Sequence, residues 1–198
     1  MTDLFKEKAQ DWDVNEMIKG LSIGIGSTIQ SKLDLDDSMN VMDFGAGTGL
    51  ITAQVAEKTK KVTAVDVSMA MLEKLAAKDN GKVEIICQDI IKKPIGSKFD
   101  LIVSAMTMHH VENTDQMVQC FAEHLKPGAK VALADLDKED GSFHPADTQG
   151  VFHHGFERDE FKDKLESHGF KDIQFFTAHT VLKEDKSYPI FLAVATKN

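Results

Sequence analysis

The sequence predicts an α/β fold: a doubly wound sheet, parallel except for its last strand, with helices on both faces. Three observations lead there. Five short β-rich stretches alternate with amphipathic helical ones, which implies parallel strands joined by right-handed crossovers. The interiors of those stretches are nearly continuous Val, Ile, Leu and Ala, as in strands covered on both faces. Near the C-terminus, two more strand-like runs are separated only by Lys183 to Tyr188. That spacing is too short for a helical crossover, so the two runs pair antiparallel.

The elements follow in order. Val14 to Leu33 carries Met17, Leu21, Ile25 and Ile29 at helical spacing, but Gly20, Gly24 and Gly26 interrupt it. The expectation is one broken helix or two short ones. Asn40 to Phe44 is the first strand and Leu50 to Lys58 the helix after it. Lys61 to Val67 is the second strand. Ser68 to Lys78 follows as a helix with Met71, Leu72 and Leu75 on one face. Lys82 to Gln88 and Phe99 to Ala105 are the third and fourth strands. Asn113 then caps a helix to Leu125, with Gln116 placed to reach back. Ala129 to Leu136 is the fifth strand. Arg158 to His168 is a helix that Gly169 terminates. Asp172 to Leu182 and Pro189 to Thr196 complete the sheet. No repeat, low-complexity tract or linker divides the chain, so residues 1–198 are read as a single domain.

Composition narrows the function. The formal charge is -9, and an acidic surface repels phosphate backbones and anionic lipid. Nucleic acid and membrane are therefore not expected partners. The two cysteines, Cys87 and Cys120, form neither a disulfide framework nor a zinc pattern. Both sit in apolar stretches and are expected to be small buried hydrophobes. Met1 to Asp13 lacks the apolar core of a secretory signal, and no apolar run is long enough to cross a bilayer. A cytoplasmic location is the expectation.

The strongest motif is Val41-Met42-Asp43-Phe44-Gly45-Ala46-Gly47-Thr48-Gly49. A strand runs into three glycines at alternate positions, and a helix follows. Gly45 and Gly47 permit a sharp turn and a close ligand approach. The helix start aims unpaired N–H groups at that ligand. The spacing is GxGxG, not the GxGxxG of a dinucleotide site. Asp43, two residues before the first glycine, would repel a pyrophosphate and suits a ligand carrying positive charge. Asp66 ends the second strand, where a carboxylate can accept from ribose hydroxyls. Asp89 follows the third strand, within reach of an adenine amino group. Helix capping and loop polarity are the competing explanation for each acid taken alone.

These residues resemble a class I S-adenosylmethionine-dependent methyltransferase, of the small-molecule branch that includes quinone-biosynthesis enzymes. The matching pieces are Asp43 to Gly49, Asp66, Asp89, Phe99-Asp100-Leu101-Ile102 and Leu125-Lys126-Pro127-Gly128-Ala129, in the family's order. The resemblance implies a Rossmann-like sheet of seven strands. It implies S-adenosylmethionine as donor and S-adenosylhomocysteine as product. It also implies roles: Gly45, Ala46, Gly47 and Gly49 near the methionine part and ribose, Asp43 near the amino group, Asp66 with adjacent Val67 at the ribose, and Met69 over the adenine. Asp89 and Ile90 would meet the adenine edge, and Ser104 and Ala105 would lie beside the sulfonium. Ala9-Gln10-Asp11-Trp12-Asp13 resembles the family's N-terminal element, so residues 1–35 are expected to form a helical lid that includes Trp12.

The acceptor side is expected in residues 137–156, with the segment after the fourth strand. Methyl transfer needs the acceptor lone pair, methyl carbon and sulfur in line, and a hydroxyl or protonated amine also needs a base. His109, His144, His153 and His154 are the candidates for binding the acceptor or taking its proton, with packing as the alternative. Asp135, Asp137, Glu139, His144, His153 and His154 carry the atom types that ligate a metal. Adjacent His153 and His154 lack helical ligand spacing, however, and no metal is expected. The partner is expected to be a small-molecule acceptor, and the oligomeric state stays open. Two rival readings remain: a nicotinamide-dependent oxidoreductase, which the glycine spacing and Asp43 oppose, and a non-catalytic S-adenosylmethionine-binding protein.

Overall fold

The computed structural model describes residues 3–79 and 81–198. Seven strands form one sheet: β1 (Asn40–Phe44), β2 (Lys61–Asp66), β3 (Val83–Cys87), β4 (Phe99–Ala105), β5 (Leu125–Leu136), β6 (Phe170–Lys183) and β7 (Lys186–Lys197). Their order is β3-β2-β1-β4-β5-β7-β6. The pairs among β1 to β5 are parallel, and β7 runs antiparallel to both of its neighbours. The predicted architecture is present, with each strand within a few residues of its expected bounds.

Alternate residues of the strands face opposite layers. Val41, Val62, Leu101 and Val103 pack with Leu21, Ile25 and Ile29 of α1 (Glu16–Lys32) and with Ile51 and Val55 of α2 (Leu50–Ala56). Met42, Phe44 and Ile102 pack with Met117, Val118 and Phe121 of α4 (Thr114–His124) and with Phe161 and Leu165 of α5 (Arg158–Ser167). Leu72 and Leu75 of α3 (Met69–Ala76) meet Ala46 and Ala64.

Three expectations need correction. The N-terminal helix α1 is one unbroken helix of 17 residues. Two of its three glycines, Gly24 and Gly26, are packing positions. A Cβ on Gly24 would come within 2.8 Å of His179 Nδ1, and one on Gly26 would overlap the Gln54 side chain. The contact with β6 and α2 outweighs the weak helical preference of glycine. Cys87 is exposed at the sheet edge, whereas Cys120 is buried as expected. The fifth strand starts at Leu125, four residues early, because a register shift between Phe99 and Leu101 absorbs Pro127 and Gly128.

Among the described residues, no helix is long and apolar enough to cross a membrane. Met1 and Thr2, part of the expected 1–35 segment, lie outside the described residues.

Candidate functional site

The chain leaves β1 toward β2 and β3 on one side and leaves β4 toward β5 on the other. The crevice at the carboxyl ends of β1 and β4 is thus a topological switch point, where open α/β sheets bind ligands. Ser104 Oγ donates to the Phe44 carbonyl at 2.9 Å and ties the two strands there.

Gly45, Gly47 and Gly49 have φ of 72°, 56° and 86°, left-handed values that glycine adopts freely. The Gly45 and Ala46 N–H groups donate to Val65 O at 2.8 and 3.1 Å. Gly47 N–H donates to Asp66 Oδ2 at 2.8 Å, so the loop is latched to the end of β2. A Cβ on Gly45 would overlap Thr107, and one on Gly49 would lie 2.7 Å from Leu75 Cγ. A Cβ on Gly47 would meet nothing within 4 Å. The loop is therefore closed on two sides and open at its middle glycine.

Two acids flank it. Asp43 is buried at 1% exposure and accepts from Thr52 Oγ1 at 2.6 Å. Burial pushes its carboxyl up to about 7. The Thr52 bond opposes this, and the nearby Asp66 charge adds to it. A cation would reverse the penalty, so the site is chemically matched to a positive group. Asp66 accepts from Ser68 N–H and Gly47 N–H, both at 2.8 Å. Burial raises its carboxyl above the ordinary range against those two bonds. Beside it, Val67 and Met69 are exposed apolar side chains.

Asp89 is arranged differently from its two counterparts. It accepts from the Ile91 and Lys92 N–H groups and pairs with Lys92 Nζ at 2.8 Å. Burial works against the charge, but the Lys92 bonds hold the carboxyl below its ordinary value. Ile90 is fully buried in the core.

The N-terminal segment lies across this edge. Asp13 accepts from Thr48 Oγ1 at 2.5 Å and from Lys78 Nζ at 2.6 Å. Asp3 accepts from Ser68 Oγ at 2.9 Å. Trp12 is half-buried and stands edge-on to Phe5, which meets the His110 ring at 5.2 Å.

Three histidines gather beyond β4 and β5. Met106, at φ 53°, turns the chain into a short 3-10 turn, Met108–His110. Thr107 Oγ1 reaches Gly45 O at 3.3 Å and links this turn to the glycine loop. His109 is buried, with Nδ1 2.7 Å from Asp135 Oδ1 and Nε2 3.2 Å from His144 Nε2. His110 bonds to Gly150 O at 2.7 Å. Burial, then the neighbouring His109, pulls His110 down to about 4. His144 falls to about 4 through burial, then His109 and His110. His153 and His154 point elsewhere. His153 Nε2 bonds to Val111 O at 3.0 Å, and His154 is exposed, 3.5 Å from Glu139. Of the four candidates, only His109 and His144 are brought together. Among the described residues, no group of three or more His, Cys, Asp or Glu is arranged to hold a metal ion.

Asp135, Thr52 and Thr107 were not anticipated as partners of these groups. Asp135 had a legible signal, a lone charge inside Val131-Ala132-Leu133-Ala134-Asp135-Leu136. Such a charge is retained in a buried strand only when paired. Thr107 gave none, because its partner Gly45 is 62 positions away.

Comparison with known proteins agrees with this fold. Residues 41–128 match a family described as a methyltransferase domain. An uncharacterized methyltransferase of Schizosaccharomyces pombe is 29% identical over 59% of the chain and 48% of the relative. One of Geobacillus kaustophilus is 28% identical over 69% and 68%. The chain thus spans about half of the first relative and about two thirds of the second. The methyltransferase from a complex with the Haloferax volcanii Trm112 methyltransferase activator superposes on this chain with a TM-score of 0.79 at 14% identity, over 99% of this chain and 98% of that one. Haemonchus contortus phosphoethanolamine N-methyltransferase 2, in complex with phosphomonomethylethanolamine and S-adenosylhomocysteine, gives 0.75 at 16% identity, over 98% and 59%.

Proposed function

Taking as premise that the chain is a class I S-adenosylmethionine-dependent methyltransferase, we propose that it methylates a small-molecule acceptor. The observation that carries this reading is the buried Asp43 carboxyl behind a glycine loop that is open at Gly47. A nucleoside with a cationic amino-acid tail offsets the cost of that carboxylate, whereas a pyrophosphate increases it. This favours S-adenosylmethionine over a nicotinamide dinucleotide.

In this reading the main chain of Gly45, Ala46, Gly47 and Gly49 lies along the donor, with Asp43 toward its amino group. Asp66 takes the ribose hydroxyls on its remaining lone pairs. Exposed Val67 and Met69 cover the base, with Asp89 and the main chain of buried Ile90 at its edge. Ser104 and Ala105 flank the sulfur, and Trp12 closes the lid. When bound, the donor supplies an electrophilic methyl group, and the chain's task is alignment and exclusion of water.

The acceptor is assigned to the space between the Met108–His110 turn and residues 137–156. An acidic chain disfavours nucleic acid there. The Haemonchus neighbour's phosphomonomethylethanolamine supports a small molecule. Calorimetry with S-adenosylhomocysteine and with NAD tests the donor; binding of NAD alone would overturn the reading. Incubating the chain and S-adenosylmethionine with fractionated metabolites tests the activity. Release of S-adenosylhomocysteine that depends on one fraction is expected, and none from any fraction would leave a binding protein.

A further inference from the structure

We propose that Asp135, His109 and His144 form a proton relay that leads away from the acceptor, so that the acceptor is one that must lose a proton from oxygen or nitrogen. This rests on the methyl-transfer reading and deepens it.

The hydrogen bonds fix the tautomers. Asp135 is fully buried, accepts from the His109 and Leu136 N–H groups, and presents Oδ1 2.7 Å from His109 Nδ1. A buried carboxylate is an acceptor only, so His109 carries its proton on Nδ1. Its Nε2 is then a lone pair, 3.2 Å from His144 Nε2. Two lone pairs do not face each other at that distance, so His144 carries its proton on Nε2 and donates it to His109. His144 Nδ1 is left as a lone pair with no partner among the described residues, on a half-exposed ring in the 137–156 segment.

Every member is thus set for transfer in one direction. The acceptor's X–H proton passes to His144 Nδ1 while the Nε2 proton of His144 passes to His109 Nε2. The X lone pair forms the X–CH3 bond, and the pair of the breaking C–S bond stays on sulfur as a neutral thioether. One positive charge disappears at sulfur and one appears on the His109 imidazolium, against the Asp135 carboxylate. Lone-pair acceptors with no proton to lose would gain nothing from this device. The other groups facing it are cationic or neutral. His110 stacks at 4.1 Å from His109, and Lys183 and Lys8 act on His144 from β6 and the N-terminal segment. None of them replaces Asp135 as counter-charge.

His109 and His144 touch the proton path, and Asp135 is a positioning residue. The test uses the full chain, free and with S-adenosylhomocysteine. Long-range nitrogen–proton NMR is expected to show His109 protonated at Nδ1 and His144 at Nε2. Asp135→Asn, whose amide is able to donate to Nδ1, is expected to shift His109 to the Nε2–H form. His144→Gln tests the relay with a half-exposed residue that leaves the buried pair intact. S-adenosylhomocysteine affinity should stay within about twofold, while methyl transfer falls by about a hundredfold or more and loses its dependence on pH. The opposite tautomer at either ring, or unchanged transfer in His144→Gln, overturns the relay alone. Failure of S-adenosylhomocysteine to bind overturns the donor reading and leaves the tautomer result to be read separately.

Discussion

At the scale of single residues, the glycine loop separates binding from folding. Gly47→Ala places a side chain in a left-handed conformation, at a cost of about 1–2 kcal/mol, but meets nothing in the protein. We expect a modest loss of melting temperature and a loss of S-adenosylhomocysteine affinity well beyond it, read by calorimetry. Asp43 makes the opposite kind of prediction. Its carboxyl lies near 3.8 unfolded and about 7 folded. The folded chain therefore holds a proton that the unfolded chain has released, and stability falls as pH rises from about 4 through 7. Donor affinity should rise over the same window as the carboxylate forms. Asp43→Asn should flatten both curves in thermal melts and titrations at stepped pH and should weaken binding. Asp43 was legible because a charge before a glycine turn has few structural uses. Its Thr52 partner was not, since a threonine in the first turn of a helix reads as ordinary surface polarity.

At the scale of elements, helix α1 shows where propensity stops being informative. Gly20 and Gly24 are equally unfavourable in a helix, yet only Gly24 lies against β6. Gly20→Ala should stabilise by up to about 1 kcal/mol. Gly24→Ala should destabilise by about 1–3 kcal/mol, because a methyl group has to displace His179 or the backbone carbonyl of Ala178. Denaturant midpoints of the two variants, moving in opposite directions, check this. The sequence predicted a break because local preference counts both glycines as defects. The packing partner, more than 150 residues away, is invisible to a local window. Strands were easier to place. Those of the parallel core are continuous apolar runs, and Phe99–Ala105 was found to the residue. Proline and glycine at 127 and 128 hid the start of β5, since a strand that tolerates them needs the bulge that only its pairing with β4 supplies.

At the scale of the whole molecule, the N-terminal segment joins parts that the sheet keeps apart. Asp13 bridges Thr48 of the glycine loop and Lys78 beyond α3, and Phe5 reaches His110 beyond β4. The ion pair is partly exposed, so Asp13→Ala should cost less than about 1 kcal/mol of stability. On the proposal that residues 1–35 close over the donor and that their opening gates release, it should nevertheless raise the off-rate of S-adenosylhomocysteine several-fold. Stopped-flow displacement measures that rate, and Lys78→Ala should show a smaller effect. Histidine residues were legible as a group near one edge, but which of them meet was decided by the path of residues 137–156, for which a sequence offers no register.

The order of strands also sorts the site along the chain. The glycine loop and its two acids lie before Ala105, and all eight histidines lie beyond Met108. The two halves meet in the parallel pairing of β4 with β5 and, at the site itself, in the Thr107 hydroxyl contact to Gly45. On the proposed reading the molecule is a fixed socket with an exchangeable tool. A chimera that keeps the first half and borrows the second from a relative should inherit its nucleoside from one parent and its choice of chemistry from the other.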